Sequence, residues 1–190
     1  VDDAAYPGTC RDLSPAERAA RRATRPPAVR LRSTGESVTI DDALAGPFTG
    51  VADDVVLRRN DGVPAYNLAV VVDDGAQGIT EVVRGDDLVP STPSQILLQR
   101  LLGLPEPRYV HVPLVVGGDG RRLAKRHGAV TLDDLVGQGV PAGRVVAALG
   151  ASLGVHGAVP AQMLDDFDLA AVCAVGRDPV ALGDLEQAWG

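Results

Sequence analysis

Residues 82–103, VVRGDDLVPSTPSQILLQRLLG, and residues 109–116, YVHVPLVV, contain the pattern that decides the fold. The apolar run that begins the first stretch and the one that fills the second each predict a short buried strand. Between them, the Ser-Thr-Pro sequence at Ser91 indicates a helix start, and Gly103 is typical of a helix end. A strand, a helix and a strand in this order predict a right-handed crossover in a parallel sheet. We therefore expect an α/β protein.

A longer apolar run precedes this unit along the chain. Residues Tyr66–Asp74 are mostly apolar and end in two acids, which is typical of a parallel strand buried on both faces. We therefore predict a strand that starts at Tyr66. Further upstream, residues 28–32, 37–40 and 53–58 have the character of short strands, and they predict a small, mainly antiparallel insertion.

Helical patterns lie at both ends of the chain. Ser14 and Glu17 have the spacing of a capping box, which predicts a short Arg-rich helix running to about Ala23. Thr131 is a suitable N-cap for a second helix, and the remaining residues to 190 predict further short helices separated by Gly and Pro.

The composition limits the function classes. The chain has 190 residues, of which 45% are hydrophobic, and a formal net charge of −7. This composition can bury a core, and the negative charge argues against a general nucleic-acid or anionic-membrane binder while permitting a local basic patch. No stretch approaches the ~18 apolar residues of a membrane span. Two cysteines do not form a disulfide framework, so we expect a cytoplasmic protein without a membrane partner.

One basic loop differs from the rest of the chain. Of the 18 Lys and Arg residues, 17 are Arg, and the single lysine is Lys125, within the glycine-flanked residues 120–128. Lysine is a compact charge on a flexible stem, which suits contact with a moving phosphate. The alternative is a solvated basic loop.

Three other side chains are candidates on position alone. Arg84 lies at a strand end, where open α/β sheets bind ligands, and its guanidinium can hold a carboxylate; the alternative is an ion pair with Asp86 or Asp87. Tyr66 is either a site residue or a core aromatic. His111 is interpreted as a histidine of the core.

Four segments stand in one order along the chain: Pro64–Asp74, Gly78–Asp87, Ser91–Gln95 and Arg122–Arg126. Their order and spacing resemble the glutamyl-tRNA synthetase family of class I aminoacyl-tRNA synthetases. The resemblance is strongest to short members, which activate glutamate with ATP and transfer it to the queuosine base in the anticodon of tRNA(Asp). It covers about residues 6–155.

The resemblance implies three regions. Residues 1–52 would be an acceptor-like insertion with part of a zinc site. Residues 53–130 would be the second half of a Rossmann-like catalytic domain, including a Lys-Met-Ser-Lys-Ser-type loop. Residues 131–190 would be a helical C-terminal tail. Because no His-Ile-Gly-His-type motif is present, we expect the chain to be the C-terminal part of a longer synthetase.

The resemblance also implies roles for individual residues. Tyr66 matches a tyrosine that contacts the substrate glutamate, and Arg84 matches the arginine that holds a glutamate carboxylate. Lys125 matches the second lysine of the flexible loop, a catalytic residue that neutralises the ATP phosphates. The matching ATP-binding loop consists of Arg122, Leu123, Ala124, Lys125 and Arg126. In it, Arg122 stands at the position of the family's first lysine, and Ala124 stands at the position of its serine.

The implied cofactors are Mg²⁺, bound with ATP, and Zn²⁺. Tyr6 and Cys10 match the last two ligands of the family's zinc site, and the other two are a Cys-x-Cys pair upstream of them. Two ligands are too few for zinc, which takes about four.

Three functions remain open after this comparison. The first is transfer of glutamate to tRNA(Asp), the second is charging of tRNA(Glu) by a fragment of a discriminating synthetase, and the third is a non-catalytic remnant. The seven arginines of residues 11–32 either face RNA phosphates or form a solvated surface.

Overall fold

The structure is a computed structural model that describes residues 5–123, 131–165, 167–175 and 178–189. The chain divides into two compact units. The first unit comprises Val1–Asp42, Gly46–Val83 and Leu88–Val110, and the second comprises Ala43–Ala45, Arg84–Asp87 and His111–Gly190. Within the described ranges, no helix has the length and apolar character needed to cross a bilayer.

Short strands alternate with helices along the described chain. The elements up to residue 112 are α1 (Pro15–Thr24), β1 (Val29–Arg30), β2 (Ser37–Asp42), β3 (Gly46–Val51), β4 (Val56–Arg58), α2 (Tyr66–Gln77), β5 (Glu81–Gly85), a 3₁₀ turn (Asp86–Ser91), α3 (Thr92–Leu102) and β6 (Arg108–Val112). They are followed by β7 (Val115–Val116), α4 (Leu132–Gly137), α5 (Ala142–Ala151), α6 (Pro160–Leu164), α7 (Leu169–Val175), β8 (Val180–Ala181) and α8 (Leu182–Trp189).

The antiparallel insertion has the character that the sequence predicts. Strands β2 and β3 form a hairpin paired from Ser37 and Val51 to Asp42 and Gly46, and β1 pairs antiparallel with β4. Alternation along β2 buries every second residue, because successive side chains of a strand point to opposite faces. The capping box of α1 is present, with the Ser14 hydroxyl accepting from the Glu17 amide.

The prediction of a strand at Tyr66–Asp74 is wrong. These residues form most of α2, which ends at Gly78 in the left-handed conformation with φ +67°. A short apolar run does not distinguish a buried strand from a helix. Gly75 lies so close to Leu104 that a Cβ would come within 2.9 Å of its side chain. A glycine at this position therefore lets α2 approach the chain that follows α3.

The predicted strand–helix–strand unit is present, but the strand predicted at 109–116 is divided into β6 and β7, which belong to different sheets. Strands β5 and β6 are hydrogen-bonded neighbours, and α3 lies between them in the chain. Side chains 27 residues apart meet at both ends of the pair, Glu81 with Arg108 and Arg84 with His111. A constant offset is the register of parallel strands. Helix α3 ends as predicted, with Gly103 at φ +66°.

Each unit has a core of branched side chains. In the first unit, Val38, Ile40, Ile96 and Tyr109 form one buried cluster. In the second, β7 pairs parallel with β8, and buried side chains of α4, α5 and α8 pack together as a separate cluster: Leu135, Val145, Ala148 and Leu185. Thr131 caps α4 as predicted, by accepting from the Asp134 amide.

Candidate active site

Arg84 occupies the strand-end position that the sequence predicts. It is the fourth residue of β5 and is half-buried. Its Nε donates a hydrogen bond of 3.0 Å to Nε2 of His111, on the neighbouring strand β6. His111 is 2% exposed. The prediction that His111 lies in the core is therefore correct, but its contact with Arg84 was not predicted. The parallel pairing of the two predicted strands was the signal that could have revealed it.

Two aspartates follow Arg84 in the 3₁₀ turn and differ in setting. Asp87 accepts a charged hydrogen bond of 2.5 Å from Nη1 of Arg122. Asp86 has a raised pKa, because burial disfavours its charged form and the carboxylate of Asp87 repels it. The second unit thus brings Arg84 and Arg122 to one acidic turn.

Gly85 allows this turn to fold closely. A Cβ at this position would lie 2.7 Å from Oδ1 of Asp87 and 2.8 Å from a methyl group of Leu114. A larger residue here would require the Asp87 and Leu114 side chains to move, so Gly85 lets both pack close to the backbone.

The beginning of the predicted ATP-binding loop is a tight turn. The Gly117 amide donates to the Arg121 carbonyl at 2.8 Å, Gly120 has φ +69°, and Val116 forms an antiparallel bridge with Arg122. Arg122 is thereby fixed at the start of the loop, and Leu123 is half-buried. The remaining predicted loop residues, Ala124, Lys125 and Arg126, lie outside the described residues.

Tyr66 lies in the first unit. It begins α2 rather than a strand, and its side chain is 59% exposed. The exposure excludes the core-aromatic alternative. The next residue, Asn67, accepts a hydrogen bond of 2.8 Å from Nε2 of Gln95, which is 1% exposed and lies in α3. A buried amide thus ties the first turn of α2 to α3.

Tyr6 and Cys10 do come together, but as part of a hydrogen-bonded loop. The Cys10 amide donates to the Tyr6 hydroxyl at 2.7 Å, and Arg21 donates to the Cys10 sulfur at 3.3 Å. Across the described ranges, no three His, Cys, Asp or Glu side chains are grouped to hold a metal ion. Tyr6 and Cys10 supply two of the about four ligands that zinc takes, and they do not make a complete zinc centre.

The fold and the site together define a class I synthetase catalytic domain. The description "tRNA synthetases class I (E and Q), catalytic domain" matches residues 2–162, and the chain belongs to this family. The α/β class inferred from the sequence is confirmed, as is the resemblance to this group of synthetases.

Individual relatives carry more specific names. The chain is 58% identical over 181 residues to the glutamyl-Q tRNA(Asp) synthetase of Nocardia farcinica, covering 95% of this chain and 57% of that protein. It is 46% identical over 186 residues to the protein of the same name from Symbiobacterium thermophilum, again covering 57% of it. The chain therefore spans little more than half the length of these relatives.

Solved structures agree at the level of the fold. The glutamate–tRNA synthetase of Elizabethkingia anophelis superimposes with a TM-score of 0.69 at 22% sequence identity. The match covers 94% of this chain and 42% of that one.

Proposed function

We propose that the protein carrying this chain activates glutamate with ATP and transfers it to the queuosine base of tRNA(Asp). The names of the relatives that are 58% and 46% identical support the tRNA(Asp) part. The single observation that carries the glutamate part is Arg84, which is held by His111 at the end of β5. A guanidinium at a strand end is suited to a carboxylate ligand.

In the proposed first step, a glutamate carboxylate oxygen attacks the α-phosphorus of ATP. The bond from that phosphorus to the bridging oxygen breaks, and glutamyl-adenylate and pyrophosphate form. In the second step, an RNA hydroxyl attacks the activated carbonyl and AMP leaves. Such a reaction depends on positioning and charge neutralisation more than on acid–base groups. Mg²⁺, bound with ATP, supplies further neutralisation of the phosphates.

Four residues of the chain are assigned roles in this reaction. Arg84 binds a carboxylate of glutamate, and Tyr66 contacts the same substrate. Arg122 and Lys125 neutralise charge on the ATP phosphates. The exposure of Tyr66, which is 59%, is consistent with a ligand contact. The reaction takes place in the cytoplasm, where tRNA and ATP are available.

The test is glutamate-dependent exchange of pyrophosphate into ATP, measured on the full-length protein. We expect exchange without any tRNA, followed by glutamate transfer to queuosine-containing tRNA(Asp) and none to the same tRNA with unmodified guanosine. Exchange with aspartate or glutamine in place of glutamate serves as the specificity control. If no exchange occurs with or without tRNA, the proposal is wrong and a non-catalytic remnant is favoured.

A second candidate is a glutamyl-tRNA synthetase that charges tRNA(Glu). The observation in its favour is that the glutamate–tRNA synthetase of Elizabethkingia anophelis shares the fold over 94% of this chain. Exchange that appears only after tRNA(Glu) is added, together with glutamate transfer to that tRNA, would favour this candidate.

A further inference from the structure

Helix α1 and the residues that flank it form a basic region in an acidic chain. Residues 11–32 contain seven arginines and only two acids, Asp12 and Glu17, so the region has a formal charge of +5, whereas the whole chain has −7. Positive charge concentrated in one place on a chain of opposite sign indicates a local surface for an anionic partner, rather than a general attraction to polyanions.

Core packing does not account for this helix. All ten residues of α1 are exposed, and none is buried. Arg18, Arg21 and Arg22 are three or four positions apart and therefore share one face of the helix, while its four alanines lie toward the other side. A helix that is exposed on every side gains little from burial, so its arginine face is available to a partner.

The arginines of this region divide into two groups by their contacts. Arg18 donates to a carbonyl of the preceding loop at 3.0 Å, and Arg21 donates to the sulfur of Cys10 at 3.3 Å. These two bonds tie α1 to the loop before it. Arg22 and Arg25 are different, because their guanidinium groups have no hydrogen bond or ion pair within the described ranges. Their donors are therefore open to a ligand.

The chemistry of the region favours the phosphates of an RNA stem. A guanidinium binds two phosphate oxygens at once. Helices that bind membranes insert leucine or aromatic side chains, whereas the small apolar side of α1 consists of alanine. Residues 11–32 contain no aromatic residue on which an unpaired base could stack. The family to which the chain belongs consists of tRNA synthetases, and base-paired RNA is contacted mainly through its backbone.

We propose that Arg22 and Arg25 bind the phosphate backbone of a base-paired stem of the tRNA substrate, while Arg18 and Arg21 hold α1 against the preceding loop. This inference rests on the proposed function for the identity of the RNA, and it locates a contact surface on the protein. Since phosphates are the same in every stem, the surface strengthens binding without reading sequence.

The test compares two pairs of charge-removing substitutions in the full-length protein. Arg22→Gln combined with Arg25→Gln removes the proposed phosphate contacts. Arg100→Gln combined with Arg108→Gln removes the same charge at exposed positions, where each arginine pairs with a glutamate. We expect the first pair to weaken binding of queuosine-containing tRNA(Asp) about tenfold at about 0.1 M salt, and to reduce the slope of log Kd against log salt by about two. The control pair should stay within about twofold of wild type.

Two further measurements separate this inference from the proposed function. Glutamate-dependent exchange without tRNA should be the same in the Arg22 and Arg25 variant as in wild type. The loss of affinity should be equal for queuosine-containing and unmodified tRNA(Asp), because phosphate contacts do not read the base. An unchanged tRNA affinity and salt slope, or an equal loss in the control pair, would overturn the inference while the proposed function stands. If the wild type shows no exchange with or without tRNA, the proposed function is wrong, and the tRNA-binding measurement still decides this inference.

Discussion

Arg11 and Arg84 are both held by side-chain hydrogen bonds, but their partners differ. In the first unit, Arg11 donates from one nitrogen to the Asp54 carboxylate and from another to the Ser33 carbonyl. Asp54 is 6% exposed and also accepts from the Ser33 amide at 2.8 Å. In the second unit, Arg84 Nε donates to Nε2 of His111 at 3.0 Å. The first arrangement pairs a buried carboxylate with a cation, whereas the second joins a half-buried arginine to a buried histidine.

The aspartates of the two regions show the same contrast. The hydrogen bond from Arg11 lowers the pKa of Asp54, since it stabilises the charged form. Burial and the neighbouring Asp87 raise the pKa of Asp86. The ionised carboxylate of Asp54 therefore stabilises the fold, whereas that of Asp86 opposes folding. The two carboxylates therefore contribute to folding with opposite signs, and this difference can be measured.

The largest effect should come from Arg84. In the full-length protein, Arg84→Ala should lower glutamate-dependent exchange by about 100-fold or more, because a substrate carboxylate loses its charged partner. The matched control is Arg108→Ala, at the start of the neighbouring strand, where an exposed arginine pairs with Glu81 at 3.2 Å. Exchange should be unchanged there. A similar loss of exchange in both variants would contradict the assignment of substrate binding to Arg84.

Arg11 should show the opposite behaviour. Arg11→Leu leaves the buried Asp54 without its cation and should lower the melting temperature by several degrees, while the remaining folded protein keeps its KM for glutamate. The control is Arg32→Leu, since Arg32 pairs with Asp12 at 3.4 Å with both side chains well exposed. We expect that change to be nearly neutral. An unaltered melting temperature for Arg11→Leu would contradict the comparison.

The ion pair of Asp54 should make the free energy of unfolding fall as the pH is lowered. Its pKa is lowered in the folded protein, so its contribution is fully present above the unfolded value of about 3.9 and is lost as the pH falls through the folded value. Asp54→Asn should therefore be less stable than wild type at neutral pH. Denaturant titrations repeated toward acid pH should show that difference shrinking, and a constant difference would argue against the ion pair as its source.

Asp86 should show the reverse sign and the smallest effect, because it is only partly buried. Its pKa is raised, so the stability present below the unfolded value is lost as the pH rises through the folded value. Asp86→Asn should thus be slightly more stable than wild type at neutral pH, and the gain should vanish below about pH 4. Asp73→Asn, at an exposed position on α2, is the control. A loss of stability in Asp86→Asn would refute this assignment.

Local patterns predicted the elements that have local causes. The capping box at Ser14, the N-cap at Thr131 and the glycine stop at Gly103 all formed as expected, because caps and left-handed turns depend on residues close in the chain. Helix α2 was the main error. Its apolar run is compatible with either a strand or a helix. Leu104, which packs against Gly75 of this helix, is 29 residues further along the chain, so local patterns do not reveal the contact.

The sequence by itself determined the α/β class, the synthetase family and the strand-end position of Arg84, since order, spacing and hydrophobic pattern are properties of the chain. Only the tertiary structure decided which groups surround that arginine. The contact between Arg84 and His111 depends on the register between β5 and β6, which places the two side chains opposite each other. Strand register is set by packing between distant segments, so the electrostatic character of the site appears only when the chain is folded.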